Sequence, residues 1–289
     1  MHDITEYLFK TNAIKVADPK TPFWYTSGLI GPFYINTHYL AGGEAAALEL
    51  LELITSQPDS ISARSRYISA VHAKVKEIYD THPIFRNTVR KAVDLIKTHI
   101  DVSRIDFISG GERRDWFFHS IIAEILNKPA LFIHKDSSVW VKEDGDIGQV
   151  EWIEGANALH VADLVTIASS YVKIWIPAIK QLGGTITHAL NIVDRLQGAE
   201  KVLKGYGIAT LAVAQIDSEL FHAASQRGYI TRAQHGMIVD YIRDPFTTMK
   251  KFLIENPDFL KDSLASDDNK IAARARLCMS EDLYKLKVI

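Results

Sequence analysis

Residues 157–173 combine an apolar run, a carboxylate and a short loop of small and hydroxyl side chains. The run ends at Asp163, and a helix is predicted to begin at Tyr171. Backbone N–H groups at a helix start are unpaired and carry partial positive charge, so this segment is suited to a phosphate group while Asp163 faces its sugar. The loop residues predicted to cradle that phosphate are Thr166, Ala168, Ser169 and Ser170.

A second candidate anion site lies at Gly110-Gly111, where another apolar run ends. The two glycines permit a strained turn with exposed N–H groups. Arg113 and Arg114 follow, and their forked guanidinium groups suit the oxygens of a pyrophosphate. The alternative is a solvated helix start in which arginine pairs with Asp115. The phosphate-type loop later in the chain favours the anion site.

The elements that must position these residues alternate between strand and helix from Ile105 to Ala214. This alternation predicts a doubly wound, mostly parallel α/β sheet. Asp163 and Asp194 each follow an apolar strand, and ligands of such sheets lie at the carboxyl ends of the strands. The polar stretch Asp136–Gly148 carries charge and lacks apolar anchors, so it is predicted to be a mobile loop, with an ordinary surface loop as the alternative.

Composition narrows the function classes. The chain has 289 residues, which is enough for one large domain or a domain with an appendage. A net charge of −2 gives no electrostatic reason to expect nucleic acid or a membrane surface. The single cysteine, Cys278, excludes an intramolecular disulfide and a cysteine-based metal site. We interpret His160 as a packed core residue. We predict that the protein is cytoplasmic.

The loop at 157–173 resembles the phosphoribosyl-pyrophosphate (PRPP) loop of type I phosphoribosyltransferases, and the chain as a whole resembles the orotate phosphoribosyltransferase family most closely. That loop usually has two acids, two apolar residues, Thr, a small pair including Gly, and then Thr or Ser. Here the first acid is replaced by Ala162, and Ala168 stands where the glycine is usual.

Three further segments carry the resemblance. Trp24–Asn36 resembles the family's amino-terminal base-site segment, with Thr26 in place of a lysine. His134-Lys135 resembles a basic pair that precedes a mobile loop, in which Lys142 is the best candidate residue. Val193-Asp194-Arg195 resembles the segment whose arginine pairs with the carboxylate of orotate. The four pieces follow the family's order along the chain.

The resemblance implies a type I phosphoribosyltransferase fold with a small amino-terminal hood and extra helices. The implied segments are a hood at 1–43, a helical insertion at 44–100, the phosphoribosyltransferase core at 101–217 and a helical extension at 218–289. The implied activity is transfer of phosphoribosyl from PRPP to orotate or a related base, in pyrimidine nucleotide synthesis. The implied cofactor is Mg²⁺ and the implied assembly a homodimer, with no nucleic-acid or membrane partner.

The resemblance also implies a role for each site residue. Residues implied in catalysis are Asp163, Lys135 and Lys142. Residues implied in PRPP binding are Arg113, Arg114, Thr166, Ala168, Ser169 and Ser170. Residues implied in base binding are Thr26, Phe33, Tyr34 and Arg195. Asp163 is expected to contact magnesium only indirectly, through PRPP.

Other functions stay open at this point. Ala162 favours a non-catalytic protein that binds PRPP or a nucleotide as a regulator. Thr26 favours a phosphoribosyltransferase for another base. A DNA-binding regulator is disfavoured because no basic amino-terminal helical module is evident. An unrelated Rossmann-like enzyme is disfavoured because no Gly-x-Gly-x-x-Gly sequence opens a helix.

Overall fold

The computed structural model describes residues 4–58 and 60–286, so residues 1–3 and 287–289 of the predicted end segments lie outside it. Its strands are β1 (Ile14–Val16), β2 (Phe23–Trp24), β3 (Ile30–Gly31), β4 (Phe33–Ile35), β5 (Phe107–Gly111), β6 (Ala130–Ile133), β7 (Val139–Glu143), β8 (Asp146–Gln149), β9 (Asn157–Val165), β10 (Thr185–Asp194) and β11 (Ala209–Gln215).

Its helices are α1 (Ile4–Lys10), α2 (Glu44–Thr55), α3 (Ile61–Thr81), α4 (Pro83–His99), α5 (His119–Leu126), α6 (Ile176–Gln181), α7 (Ala199–Gly205), α8 (Ser218–Gln226), α9 (Arg232–Arg243), α10 (Pro245–Glu255), α11 (Pro257–Leu264) and α12 (Asn269–Ser280). Short 3₁₀ turns cover Thr37–Leu40, Val102–Arg104 and Arg114–Phe117, and a π-helical turn over Tyr171–Trp175 leads into α6. Among these described helices, none combines the length and apolar character that a membrane span requires.

A seven-stranded sheet in the described chain has the order β11-β10-β9-β5-β6-β7-β8. The five strands from β11 to β6 are parallel, and β7 and β8 are added antiparallel at one edge. β9 and β10 are almost continuously buried, as expected of central parallel strands covered on both faces. This confirms the predicted doubly wound, mostly parallel α/β sheet.

The prediction of a mobile loop at 136–148 is wrong, because most of this segment forms the β7–β8 hairpin. Val139 and Trp140 are buried and pair with the end of β6, so the first strand is anchored to the sheet. Asp144 and Gly145 connect the strands with φ of 48° and 94°, as a two-residue Asp-Gly hairpin turn requires. The polar composition reflects an exposed edge of the sheet, where one hairpin face meets water.

The chain divides into two compact units. Unit 1 comprises residues 1–13 and 37–216, and unit 2 comprises residues 14–36 and 217–289. The helices predicted for 44–100 are present as α2, α3 and α4. Because α4 packs against α5, β10 and β11, this segment belongs to the same unit as the large sheet.

Unit 2 combines the short strands β1–β4 with the helices α8–α12. β1 pairs with β4 and β2 with β3, both antiparallel, and their apolar side chains pack on the helices. The Trp24 indole N–H donates to Ser263 Oγ over 2.9 Å, and the Ile30 N–H donates to the Tyr284 hydroxyl over 2.9 Å. Most of the predicted hood therefore forms one unit with the predicted carboxyl-terminal extension.

Candidate active site

Four neighbouring strands of unit 1 end side by side, and their carboxyl ends form one edge of the sheet. In spatial order they are β6, β5, β9 and β10, and all four run parallel. Lys135 follows β6, Arg113 and Arg114 follow β5, Asp163 lies near the end of β9, and Arg195 follows β10. Their sequence positions are widely separated, and the parallel topology brings them to the same edge.

The predicted phosphate loop follows β9, which extends to Val165. Asp163 therefore lies within the strand, with 8% of its surface exposed. Ser169 and Ser170 are exposed at the helix start, while Thr166 is half-buried. Ala168 is buried with a left-handed φ of 58°, and its carbonyl accepts the Val172 N–H over 3.1 Å.

Ala162, the position of the missing acid, is fully buried. It belongs to an apolar cluster that includes Trp175, Ala178 and Ile179. Side chains alternate across a strand, so residues 162 and 163 point to opposite faces of β9. An acid at position 162 would enter the apolar core.

The glycine pair does not form the predicted turn, because Gly110 and Gly111 lie within β5. A Cβ atom at Gly110 would approach the His119 ring to 2.5 Å, and one at Gly111 would approach the Trp175 indole nitrogen to 2.0 Å. The glycines are thus required by close side-chain approach on both faces of the strand. The peptide bond that follows, Glu112–Arg113, is cis.

Glu112 joins the ends of β5 and β6, and sequence reasoning missed this residue. Its N–H donates to the Ile133 carbonyl over 2.8 Å, and its Oε2 accepts the Lys135 N–H over 3.2 Å. Lys135 Nζ lies 3.8 Å from Glu112 Oε1, yet the lysine side chain is 60% exposed. Arg113 Nη1 donates to Thr55 Oγ1 over 3.3 Å, and Arg114 is exposed. Three cationic side chains therefore follow two adjacent strands.

Asp115 is the second residue that sequence reasoning missed, since it was considered only as a partner for arginine. Its residue surface is 3% exposed, and its carboxylate accepts the Gly111 N–H over 2.9 Å and the Asp163 N–H over 3.0 Å. His160 Nε2 lies 3.5 Å from Asp115 Oδ2. The signal in the sequence was a carboxylate directly before the apolar Trp116-Phe117-Phe118, where burial is expected.

The two buried carboxyl groups have perturbed acidities. Burial raises the pKa of Asp115 to about 7, against hydrogen bonds from the Asp163 and Gly111 N–H groups. Burial raises the pKa of Asp163 well above its ordinary value, the Asp115 carboxyl adds to the rise, and Arg114 opposes it. Two such carboxyl groups side by side disfavour double ionisation.

His160 is a core residue, as interpreted from the sequence. It is fully buried, its ring stacks on Trp175 with centroids 4.4 Å apart, and its Nδ1 lies 2.9 Å from Ser109 Oγ. Burial lowers the pKa of His160 to about 3, so the ring is neutral at physiological pH.

Arg195 begins the loop after β10. Its N–H donates to the Val165 carbonyl over 3.0 Å, which ties this loop to the end of β9. Asp194 accepts the Leu196 N–H over 2.8 Å, and Leu196 has a left-handed φ of 55°. A hydrogen-bonded carboxyl group therefore lies directly before the arginine. Burial raises the pKa of this Asp194 carboxyl group.

Lys142 does not join these residues. It lies in β7 opposite Ala130, at the amino end of β6, whereas Lys135 follows the carboxyl end of β6. It lines a different cavity, of about 360 Å³, together with Glu124 and Lys128. The β7–β8 hairpin therefore holds Lys142 at the opposite end of the strands from Lys135, apart from the other predicted catalytic residues.

The remaining predicted base-binding residues belong to unit 2. Phe33 is 3% exposed and packs on Phe221 and Tyr241 with ring centroids 4.9 and 5.8 Å apart, so it is a core residue. Thr26 is exposed in the turn between β2 and β3. Tyr34 donates its hydroxyl to the Trp24 carbonyl over 2.6 Å and lines a cavity of about 750 Å³ within the unit.

The chain is similar in sequence to known proteins. The chain is 28% identical over 176 residues to an orotate phosphoribosyltransferase of Sulfolobus acidocaldarius, covering 61% of this chain and 84% of the relative. It is 32% identical over 149 residues to one of Sulfurisphaera tokodaii, covering 52% of this chain and 72% of the relative. No protein-family model matches the chain.

Two solved structures are similar in fold. Leishmania donovani UMP synthase matches with a TM-score of 0.57 and 17% identity, covering 83% of this chain and 41% of that one. Francisella tularensis orotate phosphoribosyltransferase matches with a TM-score of 0.52 and 15% identity, covering 83% of this chain and 97% of that one. Because the Sulfurisphaera relative is 32% identical over 72% of its length, the chain belongs to the orotate phosphoribosyltransferase family.

Proposed function

We propose that the chain transfers the phosphoribosyl group of PRPP to orotate, releasing pyrophosphate. The observation that carries the proposal is the convergence of Lys135, Arg113, Asp163 and Arg195 at the ends of four adjacent parallel strands. The reaction needs cations, an acid that faces the sugar and an arginine that binds a carboxylate. A family member that has all three at one edge of its sheet can supply these groups.

The cations act on the leaving group. When the bond between ribose C1 and pyrophosphate breaks, positive charge develops on the sugar and negative charge on pyrophosphate. Arg113, Arg114 and Lys135 neutralise that negative charge, and fixed charges at a developing ion are an effective form of catalysis. The contact between Glu112 and the Lys135 N–H fixes the backbone that carries the lysine.

The loop after β9 holds the rest of PRPP. Backbone N–H and hydroxyl groups from Thr166 to Ser170 bind the 5′-phosphate, and Asp163 accepts hydrogen bonds from the ribose hydroxyls. Among the described residues there is no group of three or more His, Cys, Asp or Glu side chains that would hold a metal ion. Mg²⁺ would enter with PRPP, and Asp163 would contact it only indirectly, through PRPP. The ion would supply charge neutralisation to the pyrophosphate.

Arg195 recognises the base. Its guanidinium is the natural partner of the orotate carboxylate, and its backbone bond to Val165 keeps this loop beside the PRPP loop. We expect Arg195→Ala to lower kcat/KM for orotate roughly tenfold or more, as loss of a charged hydrogen bond implies. Binding of PRPP, measured by calorimetry, should stay unchanged. A loss of PRPP affinity equal to the loss for orotate would contradict the assigned role.

The direct test is a turnover assay with orotate, PRPP and Mg²⁺, followed by the loss of orotate absorbance. Conversion of orotate to its nucleotide supports the proposal. Uracil and adenine replace orotate in parallel reactions, because Thr26 stands where the family usually has a base-site lysine. Turnover with one of these bases and none with orotate would assign a phosphoribosyltransferase for another base.

A second function is favoured by one observation, the buried Ala162 in place of the first acid of the PRPP loop. It is a regulator that binds PRPP or a nucleotide without transferring the sugar. PRPP binding by calorimetry together with no turnover for any base would support it. We further propose a cytoplasmic homodimer, which sedimentation velocity and cell fractionation test.

A further inference from the structure

The strands that carry the pyrophosphate and ribose residues separate before they end. β5 pairs with β9 only from Phe107 to Ser109, opposite Ala158 to His160. Beyond this point β9 continues to Val165 beside β10, and β5 continues to Gly111 beside β6. The facing edges of β5 and β9 thus diverge where the candidate site begins.

Asp115 fills this divergence. One carboxylate oxygen accepts the N–H of Gly111 over 2.9 Å, and the other accepts the N–H of Asp163 over 3.0 Å. Buried backbone N–H groups require an acceptor, and the strand partner that would provide one is absent at both positions. One buried side chain therefore replaces the missing ladder bonds and sets the spacing between the two strand ends.

Position 162 supplies no second acid here, and Asp115 is the carboxyl group that lies beside Asp163. The family's PRPP loop usually has two adjacent acids, but residue 162 here faces an apolar cluster. Asp115, from the segment after β5, brings a second carboxyl group to the backbone of Asp163. Since Asp115 is 3% exposed, it acts through Asp163 and Gly111 and not on the substrate directly.

We propose that Asp115 is a positioning residue for PRPP, which holds Asp163 and the arginine-bearing segment after Gly111 at the spacing that PRPP requires. This inference rests on the proposed function. It assigns to a residue outside the loop the task of organising the loop's remaining acid. Outer contacts of this kind affect affinity strongly when they fix a ligand-binding group.

The test compares Asp115→Asn with Asp106→Asn. Asp106 Oδ2 accepts the Asn157 N–H over 2.8 Å, so it makes the same type of contact at the opposite end of β9. An asparagine at 115 accepts with one oxygen and places an amide NH₂ against the other N–H group. We expect Asp115→Asn to weaken PRPP binding, measured by calorimetry, roughly tenfold or more. Asp106→Asn should bind PRPP as the unchanged protein does.

Unfolding in urea separates positioning from general destabilisation. The inference holds if Asp115→Asn loses PRPP affinity at a temperature where it is fully folded, and falls if its affinity equals that of Asp106→Asn. If the unchanged protein does not bind PRPP, the proposed function and this inference fall together. If Asp115→Asn does not fold, hydrogen exchange of backbone amides in the unchanged protein provides the test. PRPP should further slow exchange at the Gly111 and Asp163 amides. Equal exchange rates with and without PRPP would overturn the inference.

Discussion

Ala168 is a residue whose conformation conflicts with its side chain. Its φ of 58° lies in the left-handed region, where a Cβ atom meets the following carbonyl. The PRPP loop of the family usually has glycine in this small pair, and glycine adopts this conformation without that clash. The alanine is therefore tolerated at an energetic cost and does not prevent the loop from forming.

We expect Ala168→Gly to raise the free energy of unfolding by about 1 kcal/mol, because relief of the left-handed conformation outweighs the added freedom of the unfolded chain. The matched control is Ala178→Gly in α6, which should lower stability by about 1 kcal/mol because a helical alanine is lost. Urea unfolding measures both. Destabilisation of equal size in the two variants would show that position 168 is not strained.

Buried histidines make the free energy of unfolding depend on pH. Burial lowers the pKa of His119 to about 3, as it does for His160, whereas an unfolded histidine titrates near 6.5. A folded pKa below the unfolded one gives stability that is complete above pH 6.5 and is lost as pH falls towards 3. At pH 5 the loss is about 2 kcal/mol for each of these groups.

The measurement is urea unfolding at pH 7 and pH 5. The unchanged protein should lose stability between these values, and His119→Asn should lose about 2 kcal/mol less over the same interval, because one titrating group is gone. The variant's absolute stability does not enter the comparison. Identical losses in both proteins would mean that His119 has the same pKa in the folded and unfolded states.

At the scale of elements, β9 determines which residues reach the site. The strand continues through Asp163 to Val165, so alternation directs the side chain of residue 162 to the apolar cluster around Trp175 and the side chain of residue 163 to the opposite face. The absent acid is thus explained by the length of the strand. If the strand had ended at Val161, both positions would have lain in the loop.

We expect Ala162→Asp to lower the free energy of unfolding by about 3 kcal/mol or more, because it introduces an uncompensated carboxyl group into the core. Ala209→Asp makes the same change at an exposed position of β11 and should cost less than about 0.5 kcal/mol. Urea unfolding compares the two variants. Equal stability, together with tighter PRPP binding by Ala162→Asp, would show that this position belongs to the site.

At the scale of the molecule, unit 2 joins two parts of the chain that are distant in sequence. Trp24 and Ile30 share a core with Met249, Leu253 and Cys278. The strands β1–β4 depend on the helices to bury their apolar side chains, because they are too short to form a core of their own. Unit 2 should therefore open as one cooperative element.

Cys278, the chain's single cysteine, reports on that opening because it is buried in unit 2. We expect Phe33→Ala to cost about 3–5 kcal/mol in that unit and to accelerate labelling of Cys278 by a thiol reagent. Leu203→Ala, in the core of unit 1, should accelerate it much less. Equal acceleration by the two variants would show that the units open together.

Local sequence was sufficient for much of the sheet. The apolar runs that begin at Ala130, Thr185 and Ala209 form β6, β10 and β11, because buried parallel strands are continuous apolar segments bounded by helical patterns. The Asp-Gly turn at 144–145 was also visible, and the β7–β8 hairpin was missed because its polar face outweighed that signal.

The sequence by itself determined the parallel α/β architecture and the loops that carry Arg113, Lys135, Asp163 and Arg195, because periodicity and chain order are local properties. Only the tertiary structure decided the rest. In the tertiary structure, Lys142 lies at the opposite end of the strands from Lys135, and Phe33 lies in a core. Asp115 accepts hydrogen bonds between two diverging strands. These outcomes depend on which strands become neighbours, and contacts between distant segments leave no periodic trace in the sequence.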